Sequence, residues 1–229
     1  MGQDWTKLTA EDGHELEAYV ATPEGTPIGA LVVVQEIFGV NPSIRSVADA
    51  YAKDGFVAVA PAIFDRFERH VELGYEGDDL KRAYDFYGKL DPATTLFDVA
   101  AAFKKAEEWG KGVGVIGFCY GGLMSWLAAT RGETLKMRPA CAVGYYPGGI
   151  GKVAEEEPSC PVLLHFGAND SHIGPDQIGA VRKAHPEVTI YTYDGADHAF
   201  ANYARASYVP EAAKLARERS LEFLKDNIA

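Results

Sequence analysis

A cysteine occupies the centre of the stretch GFCYGG, residues 117–122. It follows the apolar run VGVIGF and precedes residues with helical spacing, which predicts a strand that turns abruptly into a helix. Small residues on both sides of Cys119 suit such a crowded turn. The helix beginning at Tyr120 would direct the positive end of its dipole at the thiol and favour the thiolate. Cys119 is therefore a candidate nucleophile, and a buried structural cysteine is the alternative.

An aspartate and a histidine follow two later apolar runs. Asp170 comes after PVLLHFG, and His198 comes after VTIYTYD. An imidazole can accept a thiol proton near neutral pH and return it to a leaving group, while a carboxylate orients the ring. The alternatives are a loop histidine and an Asx turn, or a metal site that adds His172 and Asp197. These four residues lack the helical spacing typical of zinc ligands, so we expect no metal.

Apolar runs of strand length alternate with helical spacing along the chain, after two antiparallel strands predicted around an Asp-Gly turn at 12–13. This alternation predicts an α/β fold with a mostly parallel central sheet and helices on both faces. In such sheets ligands bind at the carboxyl ends of the strands. Glu36, Cys119, Asp170 and His198 follow four different predicted strands. The segment 65–79 is predicted to be an irregular loop over the site.

The composition limits the classes of partner. A chain of 229 residues with 47% hydrophobic residues fits one domain, predicted over 1–229. The net charge of -11 disfavours nucleic-acid binding. Three cysteines without C-x-x-C spacing argue against a disulfide framework or a structural zinc site. Without a visible leader or an apolar run of about 20 residues, we expect a cytoplasmic protein with no membrane partner.

Several motifs together resemble the dienelactone hydrolases over nearly the whole chain. These motifs are QEIFGVN (35–41), GFCYGG (117–122), AVGYYP (142–147), GANDSHIGP (167–175) and DHAF (197–200). The pairing of QEIFG with a cysteine elbow separates this family from serine esterases. The resemblance implies an α/β-hydrolase fold and a Cys-His-Asp triad of Cys119, His198 and Asp170. It further implies hydrolysis of a small ester or lactone through an acyl-thioester intermediate, without a cofactor, by a monomer or small homo-oligomer.

The resemblance also implies roles for residues around the triad. Glu36 matches a glutamate that contacts the thiol at rest. It could hold Cys119 as a neutral thiol turned away from His198, or take its proton when substrate enters. The backbone amides of Ile37 and Tyr120 match the oxyanion-hole donors. The aromatic residues that fall where the family lines its substrate pocket are Phe38, Tyr84, Tyr87 and Tyr145, with core packing as the alternative.

The chain departs from the family at two positions that hold a substrate carboxylate. The family has arginines there, whereas this chain has Asn202 and Leu80. Arg205, Lys81 and Arg82 are near enough in sequence to substitute for them. We therefore include Asn202, Arg205 and Arg82 among the substrate-binding residues, while the charge of the substrate stays open.

Two other functions are compatible with the same residues. One is a thioesterase or another acyl hydrolase. The other is a non-catalytic binding protein on the same scaffold, since a fold does not fix a function. The intact set of Cys119, Asp170, His198 and Glu36 counts against the binding protein.

Overall fold

Eight strands form one sheet in the computed structural model, which describes residues 1–110 and 112–228. The strands are β1 (Gly2–Thr9), β2 (Glu15–Thr22), β3 (Gly29–Val34), β4 (Phe56–Pro61), β5 (Val113–Phe118), β6 (Cys141–Tyr145), β7 (Val162–Gly167) and β8 (Thr189–Tyr193). Their order across the sheet is β1-β2-β4-β3-β5-β6-β7-β8. β2 pairs antiparallel with β1 and β4, and the remaining neighbours pair in parallel. The predicted mostly parallel sheet with antiparallel N-terminal strands is confirmed.

Six α-helices connect or follow the strands in the described part of the chain. They are α1 (Pro42–Lys53), α2 (Gly77–Tyr87), α3 (Pro92–Glu107), α4 (Tyr120–Arg131), α5 (Pro175–Ala184) and α6 (Pro210–Ile228). Asn41 and Asp91 cap α1 and α3 through side chains that accept backbone N–H bonds, and each precedes a proline at the first helical position. None of the helices within residues 1–110 and 112–228 has the length and apolar character that a membrane span requires.

The direction of the chain across the sheet reverses at β3. β4 pairs with one side of β3 and β5 with the other. Because parallel crossovers are right-handed, α1 and α3 cover opposite faces. α6 lies on the α1 face, where the Arg217 guanidinium lies 3.8 Å from the Tyr51 ring centroid and pairs with Asp54. Such a reversal opens a crevice at the carboxyl ends of β3 and β5, where ligands bind in open α/β sheets.

A buried histidine on β7 joins the sheet to α6. His165 Nδ1 lies 2.8 Å from the Tyr193 hydroxyl, and its Nε2 lies 2.9 Å from Ser220 Oγ. The Tyr145 hydroxyl lies 2.7 Å from the same serine oxygen. Burial, with the charge of Arg219 as a smaller cause, lowers the pKa of His165 to about 3. The folded protein therefore keeps this imidazole neutral at pH values where an unfolded chain protonates it.

We expect the protein to lose stability as the pH falls from about 6.5 towards 3, because the unfolded state then binds a proton that folded His165 does not. His165→Gln should remove about 1.4 kcal/mol per pH unit from the slope of the unfolding free energy against pH in this window. Urea denaturation at several pH values measures the slope. His70→Gln, at an exposed side chain, is the control. An identical slope in wild type and His165→Gln would contradict this prediction.

Candidate active site

Cys119 lies in a strained turn between β5 and α4. Its backbone has φ 54° and ψ −115°, a region that costs a non-glycine residue on the order of 1–3 kcal/mol. The Cys119 N–H donates to the Tyr145 carbonyl at 3.0 Å. A Cβ atom on Gly121 would collide with the Val34 carbonyl oxygen. Glycine at this position thus lets α4 approach the end of β3, and the predicted strand-to-helix elbow is present with Cys119 at its tip.

Asp170 and His198 meet across two neighbouring loops. His198 Nδ1 lies 2.9 Å from Asp170 Oδ2, and the Asp170 side chain has no exposed surface. Asp170 Oδ1 accepts the backbone N–H groups of His172 at 2.8 Å and Ile173 at 3.1 Å. These backbone donors fix the carboxylate, which in turn fixes the plane of the imidazole. Because Nδ1 bonds to Asp170, Nε2 is the ring atom left for other chemistry.

Asp197 holds the two loops together beside the histidine. Its Oδ1 accepts the N–H of Ser171 at 3.0 Å and the N–H of His198 at 2.6 Å. The His172 ring, in turn, lies 4.9 Å from the His198 ring in an edge-on arrangement. Asp170 and Asp197 were both considered as metal ligands, and in each of them Oδ1 accepts hydrogen bonds from backbone N–H groups.

The environment of His198 favours its charged form. Burial alone would lower its pKa, but the hydrogen bond to Asp170 and the proximity of Cys119 raise the pKa of His198 to about 10. The carboxylate of Asp170 thus stabilises an imidazolium at neutral pH.

Glu36 lies buried at the end of β3, among uncharged donors. Its Oε2 accepts from Asn202 Nδ2 at 2.8 Å, and its Oε1 accepts from the Tyr146 hydroxyl at 3.4 Å. Burial raises the pKa of the Glu36 carboxyl, against the hydrogen bond from Asn202 and the charges of Arg205 and His198. Asn202, predicted as a substrate contact, is thus a hydrogen-bond partner of Glu36.

The contact between Glu36 and Cys119 that the resemblance implied is not a hydrogen bond here. Within residues 1–110 and 112–228, no hydrogen bond joins the two side chains. The Glu36 carboxyl is bonded to Asn202 and Tyr146 instead.

The irregular loop predicted over the site contributes Tyr75, which sequence reasoning did not single out. The Tyr75 hydroxyl accepts from Asn202 Nδ2 and from Asn41 Nδ2, both at 3.0 Å. Its ring packs edge-on against Phe38 with centroids 4.6 Å apart. The Arg205 guanidinium carbon lies 5.3 Å from the Phe38 ring centroid and 5.5 Å from that of Tyr75. Phe38 and Arg205 are therefore brought together beside Glu36, with the position of the loop as the only signal for Tyr75.

Two adjacent tyrosines, one at the end of β6 and one directly after it, were predicted less well. The ring of Tyr146 lies 5.1 Å from that of His198, and its backbone has φ 37°. Tyr145, the predicted pocket residue, is buried with its hydroxyl on Ser220 of α6. Because neighbouring strand residues point to opposite faces, the structure puts Tyr146 beside the histidine and Tyr145 under α6.

The predicted residues of α2 divide between the crevice and the surface. The Tyr87 ring lies 6.0 Å from that of Tyr120, and the charge of Cys119 contributes to a raised Tyr87 pKa after burial. Tyr84 is exposed. Arg82 pairs with the exposed Glu68 at 2.8 Å, and so does not join the cluster around Glu36.

The two predicted oxyanion donors follow β3 and β5, neighbours at the switch point. Ile37 comes directly after Glu36, and Tyr120 is the first residue of α4. In the part of the chain that the structure describes, neither N–H group donates to a backbone carbonyl between elements. The Tyr120 amide belongs to the first turn of a helix, where N–H groups have no intrahelical acceptor. Both groups are therefore available to a ligand oxygen.

The sheet order, the elbow after β5 and the histidine after β8 define an α/β-hydrolase. The sequence model of the Dienelactone hydrolase family matches residues 16–228, and the chain belongs to this family. Carboxymethylenebutenolidases of Pseudomonas putida and Pseudomonas knackmussii are each 32% identical to it over 226 residues, covering 95% of this chain and 94% of theirs. The protein is therefore a carboxylic ester hydrolase.

A solved structure supports the same family assignment. A crystal structure described as a dienelactone hydrolase candidate from Klebsiella pneumoniae is 28% identical. It superposes with a TM-score of 0.79 and covers 97% of this chain and 98% of its own. The resemblance inferred from the motifs is confirmed.

Asp170→Asn should lower the pKa of His198 from about 10, because the variant loses one of the anions that favour the imidazolium. NMR titration of the His198 ring measures the midpoint directly. Asp176→Asn changes an exposed carboxylate nearby on α5 and should leave the midpoint unchanged. A midpoint that is the same in Asp170→Asn and wild type would rule out this electrostatic role.

Proposed function

We propose that the protein hydrolyses small carboxylic esters or lactones through a triad of Cys119, His198 and Asp170. The observation that carries this proposal is the His198–Asp170 hydrogen bond of 2.9 Å beside a cysteine at a strained elbow. A buried structural cysteine would not need a positive φ, nor an imidazole held by an enclosed carboxylate. No metal or cofactor takes part in the proposed reaction.

The acylation step begins with Cys119 as a thiolate and His198 as an imidazolium. The sulfur attacks the ester carbonyl carbon, and the oxyanion that forms accepts the N–H groups of Ile37 and Tyr120. When the tetrahedral intermediate collapses, the carbon–oxygen bond to the leaving group breaks. His198 Nε2–H protonates that oxygen, and Asp170 keeps the ring in position. The acyl group remains on Cys119 as a thioester.

Deacylation uses the same groups in reverse. The neutral His198 accepts a proton from water, and the resulting hydroxide equivalent attacks the thioester carbonyl. The carbon–sulfur bond breaks, the carboxylic acid leaves, and the thiolate–imidazolium pair is restored. A thioester is readily hydrolysed, so this route suits activated esters and lactones better than amides.

Cys119→Ala should lower ester hydrolysis roughly a thousandfold or more, the scale on which the loss of a nucleophile acts. Cys119→Ser should recover little, since His198 would have to activate a far less acidic hydroxyl. Rates with an activated aryl ester, and circular dichroism to verify folding, measure both. Cys160→Ala, at a cysteine outside the site, is the control. A folded Cys119→Ala variant that hydrolyses the ester at a near-normal rate would contradict the proposed mechanism.

The substrate is proposed to carry a negative charge beside the reacting ester. The curated relatives are named for a carboxymethylene-substituted butenolide, which is a lactone with a carboxyl substituent. Arg205 lies over Phe38 and Tyr75, and no carboxylate of the described residues lies within ion-pairing distance of its guanidinium. In a protein with a net charge of -11, a local cation is needed to bind an anion. Arg205 is the proposed partner of the substrate carboxylate.

Arg205→Ala should lower kcat/KM for an anionic lactone by about 10- to 150-fold, the equivalent of about 1.5–3 kcal/mol for a charge-assisted hydrogen bond. A neutral aryl ester should lose much less. Arg82→Ala, whose guanidinium pairs with Glu68 at the surface, should leave both rates near wild type. If Arg205→Ala lowered kcat/KM equally for both substrates, Arg205 would have a structural role rather than a role in binding the substrate carboxylate. If Arg82→Ala lowered kcat/KM for the anionic lactone alone, the proposed contact would instead be made by Arg82 on α2.

A further inference from the structure

The Asn202 side chain is oriented so that it can only donate towards Glu36. Its Oδ1 accepts from Ser43 Oγ at 2.9 Å and from the Ala204 N–H at 3.0 Å. If the amide were flipped, its NH₂ group would face the Ala204 N–H, which can only donate, and its oxygen would face the Glu36 carboxyl. The orientation with Nδ2 2.8 Å from Glu36 Oε2 is therefore the one that satisfies every group.

The other N–H of the same amide is also fixed. It donates to the Tyr75 hydroxyl at 3.0 Å, which receives a second bond from Asn41 Nδ2. Asn41 is itself fixed, because its Oδ1 caps α1 by accepting the Ile44 N–H. The Asn202 amide is thus fixed by Ser43 of α1, by Tyr75 and by the backbone of Ala204.

The position of Glu36 follows from these bonds. Asn202 holds one carboxyl oxygen and Tyr146 the other. Neither donor carries a charge, and neither is Cys119. A buried carboxyl with both oxygens bonded would have to break a hydrogen bond in a low-dielectric site before it could turn towards the sulfur.

We propose that Asn202, oriented by Ser43, is a positioning residue that holds the Glu36 carboxyl away from Cys119. Glu36 then does not hold the sulfur in the free enzyme, and no substrate is needed to release the sulfur from Glu36. This resting state is the opposite of the neutral, Glu36-held thiol that the resemblance implied. The inference rests on the proposed role of Cys119 as the nucleophile.

The resting state of Cys119 can be tested by measuring the rate at which iodoacetamide alkylates it in the free enzyme at pH 7. Asn202→Leu keeps a side chain of similar size but removes the donor to Glu36. The released Glu36 carboxyl can then reach the sulfur, and labelling should fall about tenfold, as for one lost charge-assisted hydrogen bond. Glu36→Gln alone should label close to the wild-type rate.

The double variant Asn202→Leu with Glu36→Gln separates positioning from damage to the fold. It keeps the change at position 202 but replaces the carboxyl that this change would release. Labelling should return close to the wild-type rate if Asn202 acts through Glu36. A double variant as slow as Asn202→Leu, or an Asn202→Leu variant that labels like wild type, overturns the proposal.

Two controls complete the experiment. Asn227→Leu makes the same chemical change near the end of α6, where the amide donates to the Phe223 carbonyl, and should not alter labelling. Peptide mass spectrometry assigns the label to Cys119 rather than Cys141 or Cys160. Ester hydrolysis by Cys119→Ala, measured separately, tests the proposed nucleophile. The labelling rates therefore report on Asn202 whether or not that nucleophile is correct.

Discussion

The close approach of α4 to the ends of the central strands is the constraint on which the site depends. Gly121 lies against the Val34 carbonyl, which leaves no room for a side chain and forces Cys119 into a positive φ. This contact places the sulfur, the Tyr120 amide and the loop after β3 at one point of the crevice. The pairing of β5, β6, β7 and β8 extends this constraint across the sheet. Their registers determine where the loops that carry Asp170 and His198 begin. The strained backbone of Cys119 is tolerated because the surrounding parallel sheet holds the turn in place.

The fold and the positions of the candidate site residues were predictable because both follow from local pattern. Solid apolar runs marked the buried strands, and the order of elements gave a parallel sheet. Cys119, Asp170 and His198 could be singled out because each lies in the segment that follows such a run.

The residues that surround Glu36 could not be found in this way. Ser43 lies 159 positions from Asn202, and Tyr75 lies 127 positions from it, so nothing in the sequence links them. Tyr145 and Tyr146 are chemically identical neighbours, and only the pleat of β6 and the turn after it decide which one faces His198. Hydrogen-bond networks between distant loops depend on the tertiary structure, whereas strand-end positions depend on a few adjacent residues.

The charges of the site are balanced in a way that bears on its chemistry. His198 lies between Asp170 and Cys119, so a cation between two anions leaves the triad with a net negative charge in its proposed resting form. A second carboxylate at Glu36 would add to that charge, and burial opposes its ionisation. The neutral donors Asn202 and Tyr146 stabilise Glu36 without a fixed cation. Arg205 lies over Phe38 and Tyr75, and none of the described carboxylates forms an ion pair with it. An asparagine in place of an arginine therefore need not abolish binding of an anion, because it separates the group that holds Glu36 from the group that can meet the substrate.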